Sequence, residues 1–157
     1  MDVKEGGYPS LLKMFLGTTT GTIGETSTAA LLLGAIYLLL RRVIDWKIPV
    51  IYIATFAVFD ILYMVIAGAA AYPLLYELCG GGLMLGAFFM ATDYVTSPIT
   101  PKGQIIFGVL LGLLTGVFRV FGASAEGVSY AIIISNLLVP LIEKATLPKP
   151  FGKGGEK

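Results

Sequence analysis

Gln104-Ile-Ile-Phe-Gly-Val-Leu-Leu-Gly-Leu-Leu-Thr-Gly-Val-Phe-Arg-Val-Phe121 is the stretch that decides the architecture of this chain. Its single charge is Arg119, near the end, and Gly108, Gly112 and Gly116 recur every four residues. Residues four apart share one helix face, so the stretch reads as an apolar α-helix with a bare stripe down one side. Such a stripe lets a second helix approach the backbone closely, and helix packing is the expectation here. Bare backbone also admits a flat cofactor or an ion path, and glycine spacing alone does not separate these readings. Gly82 and Gly86 repeat the spacing upstream.

Four further apolar stretches lie around it, from about Ser27 to Ile44, Pro49 to Ala71, Leu78 to Thr92 and Gly127 to Ile142. Several fall short of the ~20 residues that cross hydrocarbon upright, so polar ends complete them or some are half-helices. Across the 157 residues, 56% are apolar and 13% charged, and the mean hydropathy is +0.85. A soluble domain averages roughly 45–50% apolar and about 25% charged. The fold class is therefore all-α, a polytopic helical membrane protein with about five transmembrane helices. Its organisation reads as a loop and glycine-rich approach over 1–26, a membrane bundle over 27–146, and a flexible tail over 147–157. Met1 is followed by Asp2, Lys4 and Glu5, which is no signal peptide.

Composition also excludes chemistry. A net charge of +1 gives no reason to expect nucleic acid. The chain has no histidine, which removes His-ligated haem, His-zinc sites and a Ser-His-Asp triad. The lone Cys79 cannot build an iron–sulfur cluster or an internal disulfide. Any redox group held here is organic or shared with a partner.

Basic residues set the expected topology. Arg41, Arg42 and Lys47 mark the first connection, Lys102 the third, and Lys144, Lys149, Lys153 and Lys157 the C-terminal end. The second connection, Ala71-Tyr-Pro-Leu-Leu-Tyr-Glu77, has no Lys or Arg. The first and third connections and the C-terminus are thus expected in the cytoplasm, and the segment before the first helix outside. Trp46 and Tyr52 read as interfacial aromatics flanking the first connection.

Three carboxylates are candidate site residues. Asp93 sits where Gly86-Ala-Phe-Phe-Met-Ala-Thr-Asp-Tyr-Val-Thr-Ser-Pro98 leaves its apolar run among Thr92, Thr96 and Ser97. Taken alone it is a helix-end cap, or else part of a site that binds cations through oxygen. Asp60 lies midway along the second stretch, with no basic neighbour in sequence and Arg119 as a distant partner. A charge at that depth costs on the order of 3 kcal/mol, so it is protonated, paired or facing water. Glu25, with Thr22, fits a Thr-x-x-Glu capping box ahead of the first apolar helix and is also placed to attract cations. In the fifth stretch, Pro140 deprives the Asn136 carbonyl of its usual partner, which reads as a kink or as the lining of a polar cavity.

Gly21-Thr-Ile-Gly-Glu-Thr-Ser27, Gly86-Ala-Phe-Phe-Met-Ala-Thr-Asp93 with Thr96-Ser-Pro98, Gly122 to Ala131, and Asn136 with Val139-Pro-Leu-Ile142 occur in that order. In this they resemble the second half of RnfD, a membrane component of the Rnf electron-transport complex and a relative of NqrB in the sodium-pumping NADH:quinone reductase. The tail Leu147-Pro-Lys-Pro-Phe-Gly152 is similar as well. The resemblance implies half of a two-repeat helical bundle in a redox-driven pump that links ferredoxin and NAD and moves Na+ or H+. Its partners would be the other Rnf subunits and membrane lipid, its location the inner (plasma) membrane, and its cofactors FMN, with riboflavin as a further candidate. Glu25 and Asp93 match acidic positions that the family associates with cation uptake or conduction.

Three departures qualify the likeness. Family members are about twice as long. Their FMN is bound as a phosphoester to a Thr in a Ser-x-Ala-Thr-like motif, which Thr18-Thr-Thr-Gly21 does not match. Covalent flavin attachment therefore falls on no residue of this chain, and the chain is expected to be a truncated or split form without catalysis of its own. Tyr94 stands where many relatives have Pro. Half of a passive channel or transporter, and a non-catalytic membrane scaffold, are the alternative functions.

Overall fold

The structure, a computed structural model, describes residues 11–18, 27–67, 74–80, 82–122 and 127–148. Its elements are α1 (Leu11–Leu16), α2 (Thr28–Leu40), α3 (Lys47–Ala67), α4 (Leu74–Cys79), α5 (Leu83–Leu85), α6 (Pro101–Phe121) and α7 (Gly127–Thr146). A π-helical turn, Gly86–Met90, continues α5. The protein is all-α and polytopic, and among the described residues three helices, α3, α6 and α7, are long and apolar enough to cross a membrane.

The first and third apolar stretches are the half-helices. With 13 residues, α2 is roughly 20 Å long at ~1.5 Å per residue, against a ~30 Å hydrocarbon core. Its N-cap is Ser27, whose side chain accepts from the amide of Ala30. Thr22 and Glu25 lie outside the described residues, as does the tail from 149. The third stretch breaks at Gly80-Gly-Gly82, three residues with no side chain to pack and a high entropic cost in a helix. Gly82 takes φ 69°, left-handed backbone that suits glycine, and α5 starts from it. A π-helical pitch follows, closed by the amide of Ala91 donating to the carbonyl of Gly86 at 2.8 Å. Within the segment read as a loop over 1–26, residues 11–16 form the short helix α1.

The glycine stripe of α6 packs against α3. A Cβ at Gly108 would sit 2.9 Å from Ile51, one at Gly112 2.6 Å from Thr55, and one at Gly116 2.3 Å from Phe59. The contacts advance together along both helices, so α3 and α6 run parallel. Parallel neighbours need a return crossing, and the broken segment α4–α5 with its π-helical turn supplies it. Gly86 does the same toward α7, where a Cβ would lie 2.3 Å from Val128. Close helix approach therefore accounts for the α6 stripe and for Gly86, whereas Gly82 serves its left-handed backbone.

Tyr52 is not interfacial. It is fully buried between α3 and α6, where its hydroxyl meets that of Thr115 at 2.6 Å. A buried phenol needs such a partner, and a Thr on the facing helix was not visible from sequence. Trp46 is exposed, as expected. Tyr52, Phe56, Phe107, Leu111, Leu83, Ala87, Val128 and Ile132 belong to the core. Val58, Ile61, Leu62, Val65 and Ile66 point outward from α3, as suits a face turned to lipid.

The connections with basic residues gather at one end. Tyr94 donates its hydroxyl to the carbonyl of Val43, joining the α2–α3 and α5–α6 connections. Glu143 of α7 accepts from the amide of Ile99 at 3.2 Å, and the hydroxyls of Thr100 and Thr146 meet at 2.7 Å. Thr100 also caps α6 by accepting from the amide of Gly103, with Pro101 at the first helical position. The predicted grouping of Arg41, Arg42, Lys47, Lys102 and Lys144 at one end holds.

Candidate functional site: an arginine between two carboxylates

On α3, Phe56, Asp60 and Tyr63 follow the 3.6-residue period and face the last turns of α6. Because Gly116 has no side chain, Phe59 lies directly on the α6 backbone, and this close approach sets Asp60 across from Arg119. The short helix α4 completes the enclosure with Glu77. These residues line a cavity of about 220 Å3 with Val120.

Arg119 is held firmly. Its Nη1 donates to the Glu77 carboxylate at 2.7 Å and to the Glu77 carbonyl at 2.6 Å, and its Nη2 donates to the Gly80 carbonyl at 2.8 Å. Its guanidinium also lies over the Phe56 ring, 5.0 Å from the centroid. Such a planar fork suits several fixed oxygens at once and stacks on aromatic faces. Arg119 and Glu77 are mostly buried, with side chains 14% and 29% exposed.

Asp60 is held differently. It lies within electrostatic reach of both Glu77 and Arg119, yet its Oδ2 is buried with no hydrogen-bond partner among the described residues. The three charged groups sum to one net negative charge when both carboxylates are ionised. Among the described residues, a cavity wall with one more carboxylate than cationic group and one unpartnered oxygen is chemically suited to one cation, whether a proton or a hard metal ion.

Asp93 does not reach this cavity. Its carboxylate accepts from the Thr96 hydroxyl at 2.6 Å and the Thr96 amide at 3.2 Å, and its carbonyl accepts from Ser97 at 2.6 Å. Both carboxylate oxygens are thus engaged in the turn that ends the π-helical segment, the geometry of a local cap. Asp93 belongs to the end that carries the basic connections, and Asp60 faces the last turns of α6 near the other end. Glu25 falls outside the described residues, so only Asp60 of the three sequence candidates stands in a described cavity.

Sequence reasoning did not single out Glu77. A signal was there: Glu77 is the only charge in a connection without Lys or Arg, and Arg119 is the basic residue nearest that end. In α7, Ser135 Oγ and Asn136 Oδ1 are buried and unpartnered among the described residues. The polar amide at Asn136 thus persists inside a continuous α7 that contains Pro140.

Comparison with known proteins bears on this arrangement. The description "NQR2, RnfD, RnfE family" matches residues 2–152. The chain belongs to this family. It is 47% identical over 148 residues to a protein of Clostridium ljungdahlii named as the D component of a "Proton-translocating ferredoxin:NAD(+) oxidoreductase complex", covering 94% of this chain and 45% of that one. A counterpart in Acetobacterium woodii, named as the D component of a "Na(+)-translocating ferredoxin:NAD(+) oxidoreductase complex", is 44% identical over 149 residues with the same coverage. The D component of an "Ion-translocating oxidoreductase complex" of Stutzerimonas stutzeri is 41% identical over 147 residues, 94% of this chain and 42% of the relative. The chain therefore spans less than half the length of these relatives. Family membership and the three apolar spans make it an integral membrane protein. Two relatives of nearly equal identity name different ions, so overall similarity does not choose between them.

Proposed function

We propose that the chain is a membrane portion of the RnfD component of a redox-driven, ion-translocating ferredoxin:NAD oxidoreductase complex, and that it forms part of the ion path. The observation that carries this reading is Asp60 in the cavity of Arg119 and Glu77, with its Oδ2 buried and without a hydrogen-bond partner among the described residues. Family membership supplies the context. In this reading Asp60 takes up one Na+ or H+, which cancels the net negative charge of the cluster. Arg119 sets the affinity by opposing that cation, and Glu77 with the carbonyl of Gly80 keeps Arg119 from closing on Asp60. Glu25 remains a candidate for cation uptake. Asp93 shapes the turn at the opposite end of the path.

The partners proposed are the other subunits of the complex and the surrounding lipid. The location is the inner membrane, with the segment before α2 outside and the C-terminus cytoplasmic, which the clustered basic residues support. The residues of this chain do not fit covalent FMN, because no Ser-x-Ala-Thr sequence occurs in it. The flavin of the complex, with riboflavin as a second candidate, is accordingly assigned to protein outside this chain, and no step is routed through it.

The test is ion-coupled turnover. In vesicles carrying the assembled complex, Asp60→Asn should lower ferredoxin-driven Na+ or H+ uptake at least tenfold while the complex still assembles. Uptake equal to that of the unsubstituted complex at limiting cation would remove Asp60 from the path.

A further inference from the structure

At the end with the basic connections, a second cleft of about 300 Å3 opens between the α2–α3 connection and the start of α6. Asp45, Gln104, Thr92, Tyr94, Ser97 and Arg42 are among its lining residues. Gln104 is only 8% exposed, and its Nε2 donates to the Asp45 carboxylate at 3.4 Å. Only the amide nitrogen can donate to a carboxylate, so this contact fixes the orientation of the amide. Oε1 is left buried with no partner among the described residues.

The hydroxyls of the lining sharpen the chemistry. Each carries a single proton, and each commits it to a backbone carbonyl. Thr92 donates to Phe88 at 2.8 Å, Ser97 to Asp93 at 2.6 Å, and Tyr94 to Val43. These three side chains have only lone pairs left to offer. With the Asp45 carboxylate and Gln104 Oε1, the lining is dominated by oxygen acceptors. Hard cations prefer such ligands, and sites for Ca2+ gather several carboxylates where this one has a single carboxylate. Arg42, exposed at the surface of the cleft, is the one cationic group of the lining and opposes a bound cation.

We propose that this cleft is a monovalent-cation station, held by the Asp45 carboxylate and Gln104 Oε1. Gln104 and Arg119 stand near opposite ends of α6, so the helix would carry a station at each end. The place of this station in transport rests on the ion-path reading above, whereas its oxygen chemistry does not.

The test is equilibrium binding of 22Na+ to the purified full chain in detergent, with choline chloride holding ionic strength constant. A saturable site is expected, which Asp45→Asn and Gln104→Leu each weaken at least tenfold. Arg42→Gln, at an exposed position, should tighten binding severalfold by removing the opposing charge. Asp60→Asn should leave this site unchanged.

Absence of saturable binding would mean that the cleft holds water only and would overturn the proposal. So would unchanged binding in both Asp45→Asn and Gln104→Leu, or weaker binding in Arg42→Gln, the response of an anion site. Displacement by an equal concentration of MgCl2 would overturn the monovalent assignment. If binding depends on Asp60 and not on Asp45, this station fails and the ion-path reading stands. If binding depends on Asp45 while vesicle uptake ignores Asp60, the station stands and the ion-path reading fails.

Discussion

Replacing Asp60 with Asn should make the protein more stable and less active, a pairing that separates an ion-path carboxylate from a structural one. The change is nearly isosteric and takes one negative charge from a cavity that holds two carboxylates and one arginine. Asp60 contributes no hydrogen bond through Oδ2 among the described residues, so the amide loses nothing there. A carboxylate at this depth costs on the order of 3 kcal/mol. Its attraction to Arg119 is outweighed by repulsion from Glu77, and Arg119 keeps its short contacts to Glu77 and Gly80 without Asp60. The net gain expected is therefore about 1–3 kcal/mol of stability in the cation-free protein. Thermal unfolding in detergent, with choline as the only cation, measures it. Adding NaCl should stabilise the unsubstituted protein by linkage, because a ligand that binds only the folded state raises its stability. If the ion is Na+, the Asn variant should lose that increment. Loss of stability in the Asn variant, together with unaltered transport, would refute the argument and make Asp60 a structural hydrogen-bonding group.

Further outcomes test the frame around the site. Gly112→Ala would place a Cβ 2.6 Å from Thr55 and 2.9 Å from the backbone nitrogen of Phe56, so overpacking should cost about 1–3 kcal/mol in detergent unfolding. Gly34→Ala, which meets only a Phe89 ring edge at 3.1 Å, should cost distinctly less in the same assay. Tyr52→Phe should leave the Thr115 hydroxyl buried without its partner, at about 1–3 kcal/mol, and the double variant with Thr115→Val should recover most of the loss in a double-mutant cycle. Thr96→Val should destabilise the Asp93 turn by roughly 1 kcal/mol, the lower side for a bond to a charged group because the site is partly exposed, with ion-coupled uptake nearly unchanged.

Fold class was legible because it depends on composition and periodicity, and an apolar run such as 104–121 has few alternatives in any solvent. The glycine stripe also announced a close helix neighbour. Which neighbour, and in which direction, was not written there, since Gly108, Gly112 and Gly116 would accept an antiparallel helix equally well. The parallel pairing of α3 with α6 follows from the half-helices between them, and these depend on the break at Gly80-Gly-Gly82. That break could have been read from propensity alone, because three glycines in a row oppose helix continuation by about 1 kcal/mol each relative to alanine. Tyr52 shows the opposite limit. Its place near a helix end suggested the interface, but burial was decided by Thr115, sixty-three positions away.

The same contrast decides among the carboxylates. Asp93 drew attention because hydroxyls crowd around it in sequence, yet nearby hydroxyls are what satisfies a carboxylate locally. Thr96 supplies both its hydroxyl and its amide to Asp93, so Asp93 would have to surrender two bonds before it took up an ion. Asp60 has no basic neighbour in sequence and apolar residues on either side, and for that reason its charge must be answered through space. The structure answers it with an arginine already committed to Glu77 and the Gly80 carbonyl, so among the described residues the cavity holds one more carboxylate than cationic group. A transport site needs a ligand that is attracted but not saturated, and of the two described candidates Asp60 meets that condition. The ordering predicted is therefore specific: Asp60→Asn should lower cation-coupled uptake more than Asp93→Asn, measured side by side in the same vesicles. The reverse order would mean that the Asp93 turn opens during transport and that the ion follows it.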